Sequence, residues 1–177
     1  MQKRGYFFTI DVLIALIIMV VGFIMIWSSL ASRTLITQPY FLAQDMIDFL
    51  QSTKNKDVSS LPYVAQLIAD GNITDYELTV LEQMALFYYL NNTPGEYYGK
   101  KGKILENYTK AILENATPWQ YSFSFSIGNY IIFNQTGISG RLQNESDSLI
   151  SSKTIVSVVA SKDELSPPYI AEVRVWQ

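Results

Sequence analysis

Six asparagines, Asn72, Asn91, Asn107, Asn115, Asn134 and Asn144, stand two residues before a Ser or Thr with no proline between them. Asparagine in that setting is an acceptor for N-linked sugar. Ser and Thr make up about one residue in six, so the nine asparagines of the chain would give roughly one or two such triplets by chance. The excess predicts a glycosylated surface. Asp11 is the second residue of interest, because it is the only charge between Tyr6 and Trp27. A carboxylate one or two turns inside an apolar helix is costly and needs interfacial water or a partner. Either the group sits near a membrane interface, or it meets a positive group such as the free amine of a neighbouring copy.

Other chemistry is thinly represented. The chain has no histidine and no cysteine, which removes Ser-His-Asp and Cys-His arrangements, thiolate sites, the usual zinc sites and the commonest base near neutral pH. Carboxylate-pair hydrolysis is open to the composition, yet no pair stands out by spacing. We therefore assign no catalytic, cofactor-binding or metal-ligating residue, expect no cofactor apart from N-linked glycans, and do not expect an enzyme.

These residues must be positioned by elements that the pattern predicts. YFFTIDVLIALIIMVVGFIMIW, from Tyr6 to Trp27, is long enough at about 1.5 Å per residue to cross a hydrocarbon core of about 30 Å. It exceeds the h-region of a cleaved signal peptide, and no A-x-A-like site follows closely. Lys3 and Arg4 precede it and only Arg33 follows closely, so the positive-inside bias puts Met1 in the cytoplasm and everything after Ser29 outside. All six sequons lie on that outer side. Tyr6 and Trp27 fit an aromatic belt, and Ala15 and Gly22 permit close helix–helix approach.

With 177 residues, the chain can hold one compact domain plus the anchor. A net charge of −3 and a pI near 4.9 argue against a nucleic-acid surface. After the anchor, Thr37-Gln38-Pro39 predicts a kink or short break in the helix. Phe41, Leu42, Asp45, Met46, Phe49 and Leu50 then predict an amphipathic helix ending near Lys54. Thr74-Asp75-Tyr76-Glu77 has the form of a capping box and predicts a helix through about Leu90, stopped by Asn92-Thr93-Pro94-Gly95. A further helix is expected over Ile104 to Glu114. Tyr121 to Ile127 alternates apolar residues with Ser and predicts a half-buried strand. Gly128-Asn129 turns it into a second strand over Tyr130 to Asn134. Thr154 to Ala160 and Tyr169 to Trp176 read as two more strands, with Gly137 to Ser152 as a polar loop.

The fold class expected is α+β: a long N-terminal transmembrane or filament-core helix, a helical segment, and a C-terminal antiparallel sheet of about four strands. The expected divisions are a basic leader at 1–5, an apolar helix at 6–36, and an extracellular domain at 37–177, mainly helical to 116 and mainly β from 117.

Lys3-Arg4-Gly5 followed by Tyr6-Phe7-Phe8-Thr9-Ile10-Asp11-Val12-Leu13-Ile14-Ala15-Leu16 resembles the N-terminus of type IV prepilins and pilin-like proteins. The resemblance covers about the first 30 residues. It implies that a prepilin peptidase cuts between Gly5 and Tyr6 and that assembly machinery packs the helix with copies of itself into a filament core. Common mature pilins carry Glu at their fifth position; here Asp11 would be the sixth and would serve as the registration residue. Dense sequons make the whole more similar to archaeal surface filaments than to bacterial ones. The implied protein is a glycosylated cell-surface subunit for adhesion, motility or attachment, held in the cytoplasmic membrane before assembly. A single-pass anchored ligand-binding ectodomain, or a minor pilin-like one, is the alternative.

Overall fold

In the computed structural model the backbone is described for residues 3–92, 101–138, 140–146, 148–161 and 164–177; side chains are described for 11–28, 38–92, 103–138, 140–146, 148–159 and 165–177. The turn expected at 93–95 lies outside these residues. Two compact units divide the chain, Met1–Gln38 and Pro39–Gln177.

Helix α1 spans Lys3–Ser52 and carries Pro39 inside it. Of the kink or short break expected at 37–39, the break is corrected: the helix runs through the proline. Proline removes one N–H and crowds one carbonyl, a cost of about 3 kcal/mol. Burial of Met46, Ile47 and Leu50 on the following turns, at about 1.5–3 kcal/mol each, outweighs it. Ala43, Met46, Ile47 and Leu50 form the buried stripe, at the i, i+3, i+4, i+7 spacing of one helix face. Phe41 and Asp45, expected on that stripe, are exposed instead.

Three short helices follow: α2 (Pro62–Ala69), α3 (Val80–Asn92) and α4 (Lys101–Leu113). α2 opens with proline in its first turn, where the missing N–H costs nothing. The capping box expected at Thr74–Glu77 lies instead at Thr79 and Glu82. There the Thr79 N–H donates to Glu82 Oε2 (2.8 Å) and the Glu82 N–H to Thr79 Oγ1 (3.2 Å). Glu77 is drawn away by Lys54 and Lys56, so its carboxylate cannot reach back to Thr74.

The sheet is antiparallel and four-stranded, in the order β2-β1-β6-β3, from β1 (Ser122–Ile127), β2 (Tyr130–Gln135), β3 (Leu149–Val156) and β6 (Tyr169–Trp176). The β1–β2 turn needs the positive φ of Gly128, +59°. The short β4 (Val159–Ser161) and β5 (Glu164–Leu165) pair separately. Two strand boundaries differ from expectation. β3 begins at Leu149 and ends at Val156, so the polar loop is shorter than 137–152, and the strand expected over 154–160 is split between β3 and β4. As an edge strand with alternating exposure, β3 needs little apolar residue and leaves only a faint signal.

All six residues of β1 are buried, where a half-buried strand was expected. Phe123, Phe125 and Ile127 face the core with Val175, Val173 and Ala171 of β6. On the opposite side Ser122, Ser124 and Ser126 are small and central, and longer neighbours such as Glu172 and Arg174 cover them. Gln51 of α1 donates to Thr154 (2.7 Å) and Ser152 donates to Gln44 (3.0 Å), tying α1 to β3.

Candidate functional site

Among the described residues, one helical stretch, Asp11–Ser28, is long and apolar enough to cross a membrane, with a mean hydropathy of 2.5. The fourteen large apolar side chains between Val12 and Trp27 are each 47–74% exposed, and they cover the helix on all sides. A helix that is apolar all round belongs in lipid or inside a bundle. At about 1.5–3 kcal/mol for complete burial of each such side chain, covering this surface is worth on the order of 20 kcal/mol. That exceeds the roughly 5–15 kcal/mol that keeps a whole domain folded, so water is not the resting environment of this segment. Phe23 and Trp27 stack on one another, with centroids 6.2 Å apart. Gly22 has nothing within 4 Å of where a Cβ would stand, which leaves room for another helix to approach. Asp11 is exposed at the start of the stretch. Gly5 and Tyr6 lie in the helical backbone of α1, and their side chains fall outside the described residues.

The sequon asparagines sit on or near the surface of the Pro39–Gln177 unit. Asn107, Asn115, Asn134 and Asn144 are exposed and Asn72 and Asn91 half-buried. Thr93, which completes the Asn91 triplet, is outside the described residues. Asn107 on α4 and Asn134 on β2 line one hollow of about 510 Å³. In that hollow Glu106 accepts a hydrogen bond from the Tyr130 hydroxyl (2.6 Å), and Glu114 lies 3.9 Å from Lys110. Hydrogen bonding to Glu106 is the main reason the Tyr130 phenol is shifted upward.

A second hollow, of about 600 Å³, lies over the serine side of the sheet and is lined by Ser126, Ile131, Lys153, Ile170, Glu172 and Arg174 among others. Glu172 is its one carboxylate, held by Arg174 Nη2 at 2.8 Å and Lys153 Nζ at 3.5 Å. The hydrogen bond from Arg174 is the largest influence keeping Glu172 below the ordinary carboxylate value. An ionised carboxylate already matched by two cations is a poor proton donor, and glycoside hydrolysis would require a second one beside it. Among the described residues no group of three or more His, Cys, Asp and Glu side chains is placed to hold a metal ion.

Sequence reasoning missed the buried polar node at Asn55. Its Nδ2 donates to the Asp75 carbonyl and to Gln83 Oε1, both at 3.0 Å, while the Tyr108 hydroxyl donates to its Oδ1 at 2.6 Å. Burial pushes the Tyr108 phenol strongly upward, so it stays protonated and donating. Lys-Asn-Lys reads locally as a solvated turn, and nothing in its neighbourhood signals partners on α3 and α4. Comparison of the chain with protein-family models, with curated proteins and with solved structures gives no match.

Proposed function

We propose that the chain is a structural subunit of an extracellular filament of the type IV pilus kind. The apolar part of α1 enters the cytoplasmic membrane first and is then transferred into a bundle of identical helices. The Pro39–Gln177 unit forms the sugar-bearing outer surface, which serves adhesion, motility or attachment. The observation that carries this reading is the exposed, all-round apolar surface of Asp11–Ser28. Lipid and sister helices both satisfy it, and the small residues Ala15 and Gly22 allow helices to approach closely. The prepilin-like residues around Gly5 and Tyr6 favour sister helices as the final environment.

Charge is distributed in keeping with this. Lys3, Arg4 and Arg33 against Asp11 give the segment before Pro39 a formal +2, which leaves −5 of the total −3 on the remainder. The cationic end suits the cytoplasmic leaflet.

The test is the N-terminal residue of protein sheared from cells. Tyr6 is the expected first residue, while Met1 on a membrane-retained monomer would remove the filament reading.

A further inference from the structure

The hydroxyl of Thr109 is buried in α4 with no hydrogen-bond partner among the described residues, in a residue that is 0% exposed. Valine has the same shape as threonine and would leave no buried hydroxyl unsatisfied there. The folded domain thus supplies no reason for threonine at this position, and an orphaned buried group requires one. The sequence supplies it, because Thr109 completes the triplet Asn107-Tyr108-Thr109.

An enzyme that accepts asparagine only when Ser or Thr follows at the second position must read that hydroxyl together with the amide. In the folded unit it cannot, since Asn107 is exposed while Thr109 is enclosed, and residues two apart on a helix do not face one another. We propose that Asn107 is glycosylated before α4 docks, and that docking then seals the acceptor site by burying Thr109. This rests on the reading of the outer unit as sugar-bearing. In the transfer, Asn107 Nδ2 attacks the anomeric carbon of a lipid-phosphate-linked sugar. The new C–N bond forms as the C–O bond to phosphate breaks, the lipid phosphate departs with the bonding pair, and the amide gives up one proton to the transferase.

Three other triplets provide a contrast. Thr74 and Thr136, which complete those of Asn72 and Asn134, are exposed and outside helices, and Asn72 is half-buried and Asn134 exposed, so the hydroxyls of these two sites stay accessible after folding. Thr117, of the Asn115 triplet, is buried like Thr109 but lies 2.9 Å from the Leu113 carbonyl and 2.6 Å from Gln135 Oε1. Its hydroxyl therefore has a structural use of its own.

The experiment offers sugar-free full-length chain in detergent to an N-glycan transferase with a lipid-linked oligosaccharide, and reads each asparagine by peptide mass spectrometry. Folded chain is expected to gain sugar at Asn72 and Asn134 and none at Asn107. A Phe87→Asp chain is expected to gain it at Asn107 as well, because Phe87 packs edge-on against Tyr108 at 5.5 Å and a charge there undocks α4 without changing a residue of any triplet. Equal modification of Asn107 in the two chains overturns the order proposed, as does its absence from both while Asn72 is filled. No sugar at any asparagine overturns the sugar-bearing reading itself. In a glycosylating cell, Thr109→Val is expected to lose occupancy at Asn107 alone and to melt no lower than the parent once sugars are removed, with Thr109→Ser retaining occupancy. Retained occupancy in Thr109→Val overturns the assignment.

Discussion

At the scale of single residues, a few charges govern assembly and stability. Asp11 is exposed and heads the apolar stretch, and in a bundle of such helices it would be the natural partner for a neighbour's terminal amine. Asp11→Ala is expected to reduce the yield of fibre sharply while the thermal midpoint of the outer unit stays unchanged; normal fibre yield would refute the registration role. Acid stability follows from two other carboxylates. Glu77 is brought to about 2 chiefly by hydrogen bonds from Lys54 and Lys56, and Glu172 is lowered chiefly by Arg174. A carboxylate with a lowered folded pKa binds fewer protons folded than unfolded, so stability rises with pH across the gap. Both contributions are complete above the ordinary value of about 4.5; that of Glu77 is lost as pH falls toward about 2, and that of Glu172 as pH falls through its own lowered value. Glu77 is largely exposed and screened by water, so Glu172, with a side chain only 12% exposed, contributes the larger share. Urea melts from pH 6 to pH 2 should show a fall concentrated below about 4.5 that is shallower in Glu172→Gln. An unchanged slope would mean that the ion pairs do not contribute.

Elements show where local pattern suffices and where it fails. The hairpin of β1 and β2 was legible because alternation and a Gly-Asn turn are local signals, and β6 because it is rich in β-branched and aromatic residues. The Asp11–Ser28 stretch was legible for the simplest reason, since composition alone specifies an apolar rod. Pro39 misled, because its local preference was overridden by burial of the turns that follow. Thr74–Glu77 misled as well: the motif had the right letters, yet Glu77 had better partners in Lys54 and Lys56, which are distant in sequence. The first part of β3, from Leu149 to Lys153, and the Asn55 node were illegible because their stabilising partners lie on other elements. Gly137 belongs to this last group. Its N–H donates to Ser122 Oγ at 2.9 Å, and a Cβ there would stand 2.5 Å from the Tyr121 carbonyl carbon. Gly137→Ala should therefore destabilise the outer unit by about 1–3 kcal/mol through forced displacement of β1. Chemical denaturation would read it, and a loss below about 0.5 kcal/mol, the range of an ordinary surface change, would show that the loop yields instead.

Across the whole molecule two surfaces make opposite demands. The Pro39–Gln177 unit has a continuous core and carries its sequons on a wet exterior, whereas Asp11–Ser28 presents an apolar exterior that must be covered. One chain meets both demands if copies converge through their apolar helices and direct their sequon-bearing units outward. Electron microscopy of material sheared from cells tests this most directly. The account predicts fibres in which density for residues 11–28 from many copies is bundled along the axis, away from solvent. Isolated outer units on membrane fragments, each with residues 11–28 surrounded by lipid alone, would contradict it.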